Sequence, residues 1–465
     1  MRRAPLAALV LAGGAAVPAV IPTATAQGLS ESILRTTISQ SLEADSNFDL
    51  DAESPGTTYF GDTRIGVSLL QSAPTQSLRF NFNTGLRPIK KPDEDFEWNV
   101  ASPSAARLNF NQDFANNAFD ISAGARLRRV DGQFFDETAD PFDPFDPTSP
   151  FDPLDPEVPL PDLPADELDA LPDDVDLITD DVLEQRYDVN TGFVTGTNAP
   201  SSFGFRLRAT SIDYSGDNAD QFTARTSADG EALWRLRLNP VLSGAVFAGY
   251  RYQDADNDQE TQIQEAELDL GVIYEPSEEL EFTLGAGYSD REERRTVDGE
   301  RTTEDDTGVV LRGNVRYLAP DFVLGANARF TTAAPEQRFS GDLRATYRMP
   351  RSRLTARAFQ DFALGSDFGD ERRITGLGLG YTYSVNALSN IGLNLDASNS
   401  AAADSDEDDD GDRSQVDVTA RYSRNLTSLV SASLGYTLRQ RFDDPDDATS
   451  HRVFFRISRA FQTAF

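Results

Sequence analysis

From about residue 34 onward apolar and polar positions alternate with period two, which predicts β-strands with one apolar and one polar face. Leu34, Thr36, Ile38, Gln40 and Leu42 form one face of a first strand, and Ile65, Val67 and Leu69 belong to its return. Leu78, Phe80 and Phe82 then alternate with Arg79, Asn81 and Asn83. The same plan recurs at Trp234, Leu236, Leu238, at Leu268, Leu270, Val272, Tyr274, at Leu377, Leu379, Tyr381, Tyr383, and at Val430, Leu434, Tyr436, Leu438.

Two kinds of connection separate these runs. Short turns stand at 72–76, 115–117, 197–202, 239–240, 275–279, 318–321, 349–352, 384–389 and 425–428. Between them lie longer acidic stretches at 45–56, 254–262, 289–306, 398–415 and 442–451. Short turns on one side and long loops on the other predict an all-β chain, a transmembrane up-and-down antiparallel β-barrel of about 18-20 strands. Each strand needs only about ten residues to cross the hydrocarbon at a tilt of roughly 40°. Tyrosines such as Tyr250, Tyr274, Tyr288, Tyr317, Tyr347 and Tyr383 lie toward strand ends, where an amphipathic ring favours the membrane interface.

The ends of the chain fit export to a bacterial envelope. Arg2 and Arg3 precede an apolar run from Leu6 to Ile21 and the small residues Ala24 and Ala26, so residues 1–26 read as a signal peptide and 27–465 as the barrel. In HRVFFRISRAFQTAF, Val453, Phe455 and Ile457 alternate with Arg452, Phe454 and Arg456, and the run stops at Phe465. It resembles the closing strand of bacterial outer-membrane barrels, which implies that Phe465 is an assembly signal read by the barrel-assembly machinery. The expected location is the cell outer membrane, with outer-membrane lipid and lipopolysaccharide as neighbours.

One tract breaks the pattern. Residues 131–183 repeat Phe-Asp-Pro, and the stretch 131–181 holds no Lys or Arg. Proline removes ladder donors and keeps its predecessor extended, so the tract cannot be barrel wall and is expected to be an external loop by strand parity.

The segments NPVLSGAVFAGYRYQDADND (239–258) and EPSEELEFTLGAGYSDRE (275–292) share a Pro turn, an alternating strand ending in Gly-Tyr, and an acidic loop. This plan resembles the β-barrel porin 2 family of bacterial outer-membrane proteins. Some members are encoded with exopolysaccharide export machinery, so the resemblance implies export components as partners.

Composition removes several classes of function. The 465 residues carry 77 Asp and Glu against 42 Lys and Arg, a formal net charge of -35, which argues against nucleic acid as a partner. With no cysteine there are no disulfides, thiolate metal sites or cysteine nucleophiles. No stretch after the leader approaches the length of a helical membrane span. Nothing in the sequence carries a cofactor fingerprint.

The polar face holds the candidate chemistry. Arg206, Arg208, Arg235, Arg237, Arg312, Arg316, Arg344 and Arg357 fall opposite the apolar parity and are expected to line the lumen. They suit either attraction of anions or a wall network with inward acids such as Glu265, Glu267, Asp269 and Glu281. In the loop DSDEDDDGDRSQVD, Asp406, Asp408, Asp410 and Asp412 have the spacing of a calcium loop. The bidentate glutamate and flanking helices of such a loop are lacking, so a solvated acidic loop is the expectation. His451, the only histidine, stands beside Ser450 without an evident orienting group, so the chain is not expected to be an enzyme.

Two functions remain open at this level. One is a porin-like channel with an Arg-rich lumen for solutes or an anionic polysaccharide. The other is a structural or adhesive surface protein whose acidic loops bind cations.

Overall fold

The computed structural model describes residues 31–464, apart from 130–181, 403–412 and the stretches 49, 51, 53, 93–95, 101–103, 217–218, 220–221, 257–259, 298–299, 334–336, 365–370 and 443–446. The first strands are β1 (Glu31–Asp45), β2 (Thr58–Ala73), β3 (Gln76–Lys90), β4 (Glu97–Val100), β5 (Ser104–Asp113), β6 (Asn117–Arg129) and β7 (Leu183–Thr195). They are followed by β8 (Ser201–Ser215), β9 (Ala224–Asn239), β10 (Leu242–Asp256), β11 (Thr261–Ser277), β12 (Leu280–Val297), β13 (Glu300–Leu318) and β14 (Phe322–Thr331). The last are β15 (Arg338–Met349), β16 (Ser352–Leu364), β17 (Glu371–Asn386), β18 (Ser389–Ala402), β19 (Arg413–Asn425), β20 (Val430–Phe442) and β21 (Ala448–Ala464).

Each wall strand pairs antiparallel with its predecessor and successor, and β21 pairs with β1 from Ile33↔Ala464 to Asp45↔Arg452. The short β4 pairs only with the loop end of β3, so twenty strands form the closed wall. Closure leaves no strand edge unpaired, which the hydrocarbon region demands of any spanning sheet. At a strand spacing of about 4.8 Å and a tilt of about 40°, twenty strands enclose a circle of about 40 Å diameter between backbones.

All the short turns, the start of β1 and the end of β21 share one rim, and the long connections share the other. The short-turn rim is the periplasmic one in barrels of this kind. β6 ends and β7 begins at the opposite rim, the one away from the short turns. The Asp/Pro-rich tract itself, residues 131–183, lies outside the described residues except at its last positions, Val182 and Leu183.

The outward face is apolar and uncovered. On β11 Leu268, Leu270 and Val272 are 57%, 68% and 45% exposed, whereas inward Asp269 between them is 0% exposed. Such a belt around a closed barrel cannot face water and matches lipid, so the protein is an outer-membrane barrel. Aromatic rings mark the lower border of the belt. Tyr274 stacks on Phe282, and Phe322 lies 6.0 Å from Tyr317 and 6.3 Å from Tyr347, centroid to centroid.

Several strands run further than the sequence pattern suggests. The acidic stretch 289–306 reads as a loop in the sequence, yet β12 continues to Val297 and β13 starts at Glu300. Above the membrane both faces of a hairpin meet water, so alternation disappears while pairing persists. Charges within the strand take its place, as Arg291 and Arg295 both pair with Glu293. The first long connection folds inward: Phe48 is buried against inward Phe60, at 4.6 Å between centroids, and Ile89. Among the described residues nothing but wall strands, β4 and connections occurs, so no plug domain lies among them.

Candidate functional site

The inner face of the wall is the candidate site. All eight sequence-predicted arginines stand at inward positions, in register with other polar inward residues. Arg206 faces Glu231 across β8 and β9, and Arg208 faces Asp229. Arg344 and Arg357 face each other across β15 and β16.

The structure divides these eight by their partners. Arg235 bonds Ser243 at 3.0 Å and pairs with Glu275. Arg312 pairs with Glu267 and, at 3.3 Å, with Asp269, and its guanidinium stands 5.4 Å from the centre of the Phe247 ring. Arg344 and Arg357 share Asp342 at 2.7 and 3.2 Å, and Arg357 also stacks on Phe359. Arg208, Arg237 and Arg316 form no ion pair among the described residues. The two readings of the inward arginines therefore apply to different residues. One set is tied into the wall and the other presents charge to the lumen.

The tied set centres on β11 to β14. Arg329 bridges Glu265 and Glu267, Arg312 bridges Glu267 and Asp269, and Ser289 donates to Glu265 at 2.7 Å. Two glycines make room for it. A Cβ at Gly287 would lie 2.1 Å from Asp269 Oδ1, and one at Gly271 would lie 3.0 Å from the Phe247 ring. Asp269 is fully buried, and a charge there persists only when paired. Glu281 stands near the periplasmic rim opposite Arg316 instead of joining this network.

Inward charge occurs along the whole height of the wall. In the band nearest the short turns, Arg35, Arg79, Arg107, Arg206 and Arg235 stand inward on β1, β3, β5, β8 and β9. The ring continues with Arg237, Arg312, Arg316, Arg344, Arg348, Arg353, Arg357 and Arg421. Inward acids accompany them: Glu231 faces Arg206, Asp342 holds Arg344 and Arg357, Glu267 and Asp269 hold Arg312, and Asp113, Asp120, Glu275 and Glu281 stand nearer the turns, whereas Glu278, Glu279 and Asp321 sit on the turns. Toward the external rim acids match arginines, as in Arg87 to Asp62, Arg128 to Glu184, Arg251 to Asp229, Arg439 to Asp417 and Arg452 to Asp45. Inward arginines and acids thus stand together along the height of the wall, with Arg208, Arg237 and Arg316 forming no ion pair among the described residues.

His451 and Ser450 point to opposite sides of the wall. The His451 ring shares a 2.7 Å hydrogen bond with the hydroxyl of Tyr436 on the outer face, while Ser450 donates to buried Asp45 within. A side chain on each face of one sheet cannot act on one substrate, so this pair forms no catalytic dyad. Asp406, Asp408, Asp410 and Asp412, like Phe465, lie outside the described residues, and no metal-ligating cluster occurs among the described ones. The partners of Arg312 and Arg329, and the role of Phe247, are not evident in the sequence. Inward parity of Glu265, Glu267 and Asp269 is legible there, but the register joining them to β13 and β14 is not.

No protein-family model matches the chain, so its likeness to the β-barrel porin 2 family rests on the hairpin plan alone. No curated protein matches it. Among solved structures it is similar to the FrpB iron transporter from Neisseria meningitidis (F5-1 variant), at 8% identity and a TM-score of 0.49, covering 93% of this chain and 83% of that one. It is similar to the ferric-catecholate import receptor Fiu from E. coli K12, at 8% identity and TM-score 0.48, covering 93% and 82%. OpdL of Pseudomonas aeruginosa matches at 10% identity and TM-score 0.32, covering 93% and 99%. At these identities and scores the matches bear on no cargo, and the architecture rests on the chain's own strand register.

Proposed function

We propose that the protein is a passive, water-filled conduit of the outer membrane that favours anionic solutes, an anionic exopolysaccharide among them. The observation that carries this reading is that the inward arginines Arg208, Arg237 and Arg316 form no ion pair among the described residues. Guanidinium stays charged at any working pH, so these three arginines raise the local concentration of anions against the wall. A barrel of twenty strands exceeds the size at which side chains alone fill the interior.

The test is conductance. Purified protein inserted in planar bilayers is expected to give stable ohmic steps, and liposomes carrying it should swell in isotonic solutions of small anionic sugars. Absence of both would leave a closed structural barrel as the better reading.

A further inference from the structure

On the outer face, strands β14 to β20 surround a groove of about 720 Å³. The small outward residues Ala326, Gly341, Ala358 and Ala397 keep its floor low, and the half-exposed rings of Phe339 and Phe442 stand at its two ends. Its polar groups answer one another. β15 and β16 pair no further than Gly341↔Gln360, and just there the Gln360 amide donates to the backbone carbonyl of Phe339 at 2.8 Å, in place of the ladder bonds that stop. Asn399 donates to the Ser414 hydroxyl at 3.0 Å. The groove therefore presents apolar surface with little call for water. Its external end is cationic. Arg373 stands at an outward, exposed position near the loop end of β17 and forms no ion pair among the described residues. It is in register with Phe362 of β16, and the guanidinium of Arg338, the first residue of β15, lies 5.3 Å from the centre of that same ring.

We propose that this face seats one phosphate-bearing lipid of the outer leaflet, with an acyl chain along the groove and the phosphate at Arg338 and Arg373. The volume lies within the range of about 300–1,000 Å³ found for sites that bury small molecules. A guanidinium at the border of the hydrocarbon is costly unless an anion meets it, and its planar fork matches phosphate in two parallel hydrogen bonds. An acyl chain gains nothing by leaving other acyl chains, so the groove selects by shape and the arginines select by charge. A second copy of the chain fits this face poorly. A two-fold contact sets hollow against hollow and brings two pairs of guanidinium groups together, which leaves a void and opposes like charges. The seated lipid also covers the place where the ladder between β15 and β16 stops, so the wall is sealed there by lipid and protein together.

The test titrates diphosphoryl lipid A into the purified full-length protein in detergent and counts bound lipid by native mass spectrometry. One lipid per barrel should stay bound, at a concentration at least about tenfold below that needed by Arg373→Gln or by Arg338→Gln combined with Arg373→Gln, a difference of about 1.4 kcal/mol. Ala358→Phe fills the groove from an outward position, so it should weaken binding to the same extent while the heat-induced mobility shift stays unchanged. The same lipid stripped of both phosphates should bind all of these proteins alike and weakly. Unchanged retention in Arg373→Gln, or equal retention of the phosphorylated and stripped lipids, would overturn the headgroup site. Release of the lipid by inorganic phosphate at equal concentration would assign the arginines to a free anion and overturn the lipid. A lipid-free dimer that Ala358→Phe abolishes would give the face to a second copy, against the proposal.

Discussion

Arg452 on the last strand and Asp45 on the first, 407 positions apart in sequence, meet at 3.1 Å across the seam that closes the barrel. Both side chains are nearly fully buried, and Ser450 donates to the same carboxylate. Asn47 adds a bond from its side chain to the carbonyl of Thr449 at 3.3 Å. The sheet thus closes through backbone pairing and through a polar lock at its external end.

Removing one partner of that lock should be costly. Asp45→Ala leaves a buried guanidinium and a hydroxyl uncompensated, a loss of about 3–5 kcal/mol for a buried pair. The expected readout is a lower midpoint for the heat-induced shift in electrophoretic mobility that separates folded from unfolded barrel. An unchanged midpoint would show that backbone pairing alone secures the seam.

Inward Phe454 lies on Gly435 of the neighbouring strand so closely that a Cβ there would come within 2.1 Å of the ring's Cζ. Phe359 lies on Gly376 in the same way, at 2.0 Å. Gly435→Val should therefore destabilise the barrel by about 1–3 kcal/mol through overpacking. Combining it with Phe454→Ala should recover part of that loss, and a double-mutant cycle measures the coupling. Strict additivity of the two changes would contradict the contact.

The two sets of inward arginines should separate by experiment. Arg312→Gln leaves Glu267 and buried Asp269 short of a partner and should lower stability by about 1–3 kcal/mol. Arg316→Gln, at an exposed inward position without an ion pair among the described residues, should change stability by less than about 0.5 kcal/mol yet lower anion preference. Equal stability losses would remove the distinction between wall arginines and lumen arginines.

The tract 131–183 should meet the outside. Protease added to intact cells is expected to cut within it and leave a barrel that still shows heat-modifiable mobility, since β6 and β7 pair directly beneath it along their full length. Cutting only after lysis would invert the topology.

The barrel was largely legible in the sequence because lipid imposes a strict period of two and parity then sorts every residue to one face. Trp234, Leu270 and Leu379 announce the outer face, and Arg235, Asp269 and Gly378 fall inward by default. Parity says nothing about which inward residues meet. That depends on register and strand length, so Phe359 over Gly376, or Arg329 reaching from β14 to Glu265 on β11, is invisible before strands are paired. The charged hairpin of β12 and β13 escaped for a different reason, as strands beyond the bilayer have two wet faces and lose alternation.

The most direct measurement is the reversal potential of the purified protein in a planar bilayer under a tenfold potassium chloride gradient. Anion preference carried by the unpaired inward arginines gives a potential of the sign set by chloride, modest in size because the acids of the chain oppose it, and smaller as total salt rises. A potential of the sign set by potassium would contradict an arginine-governed lumen.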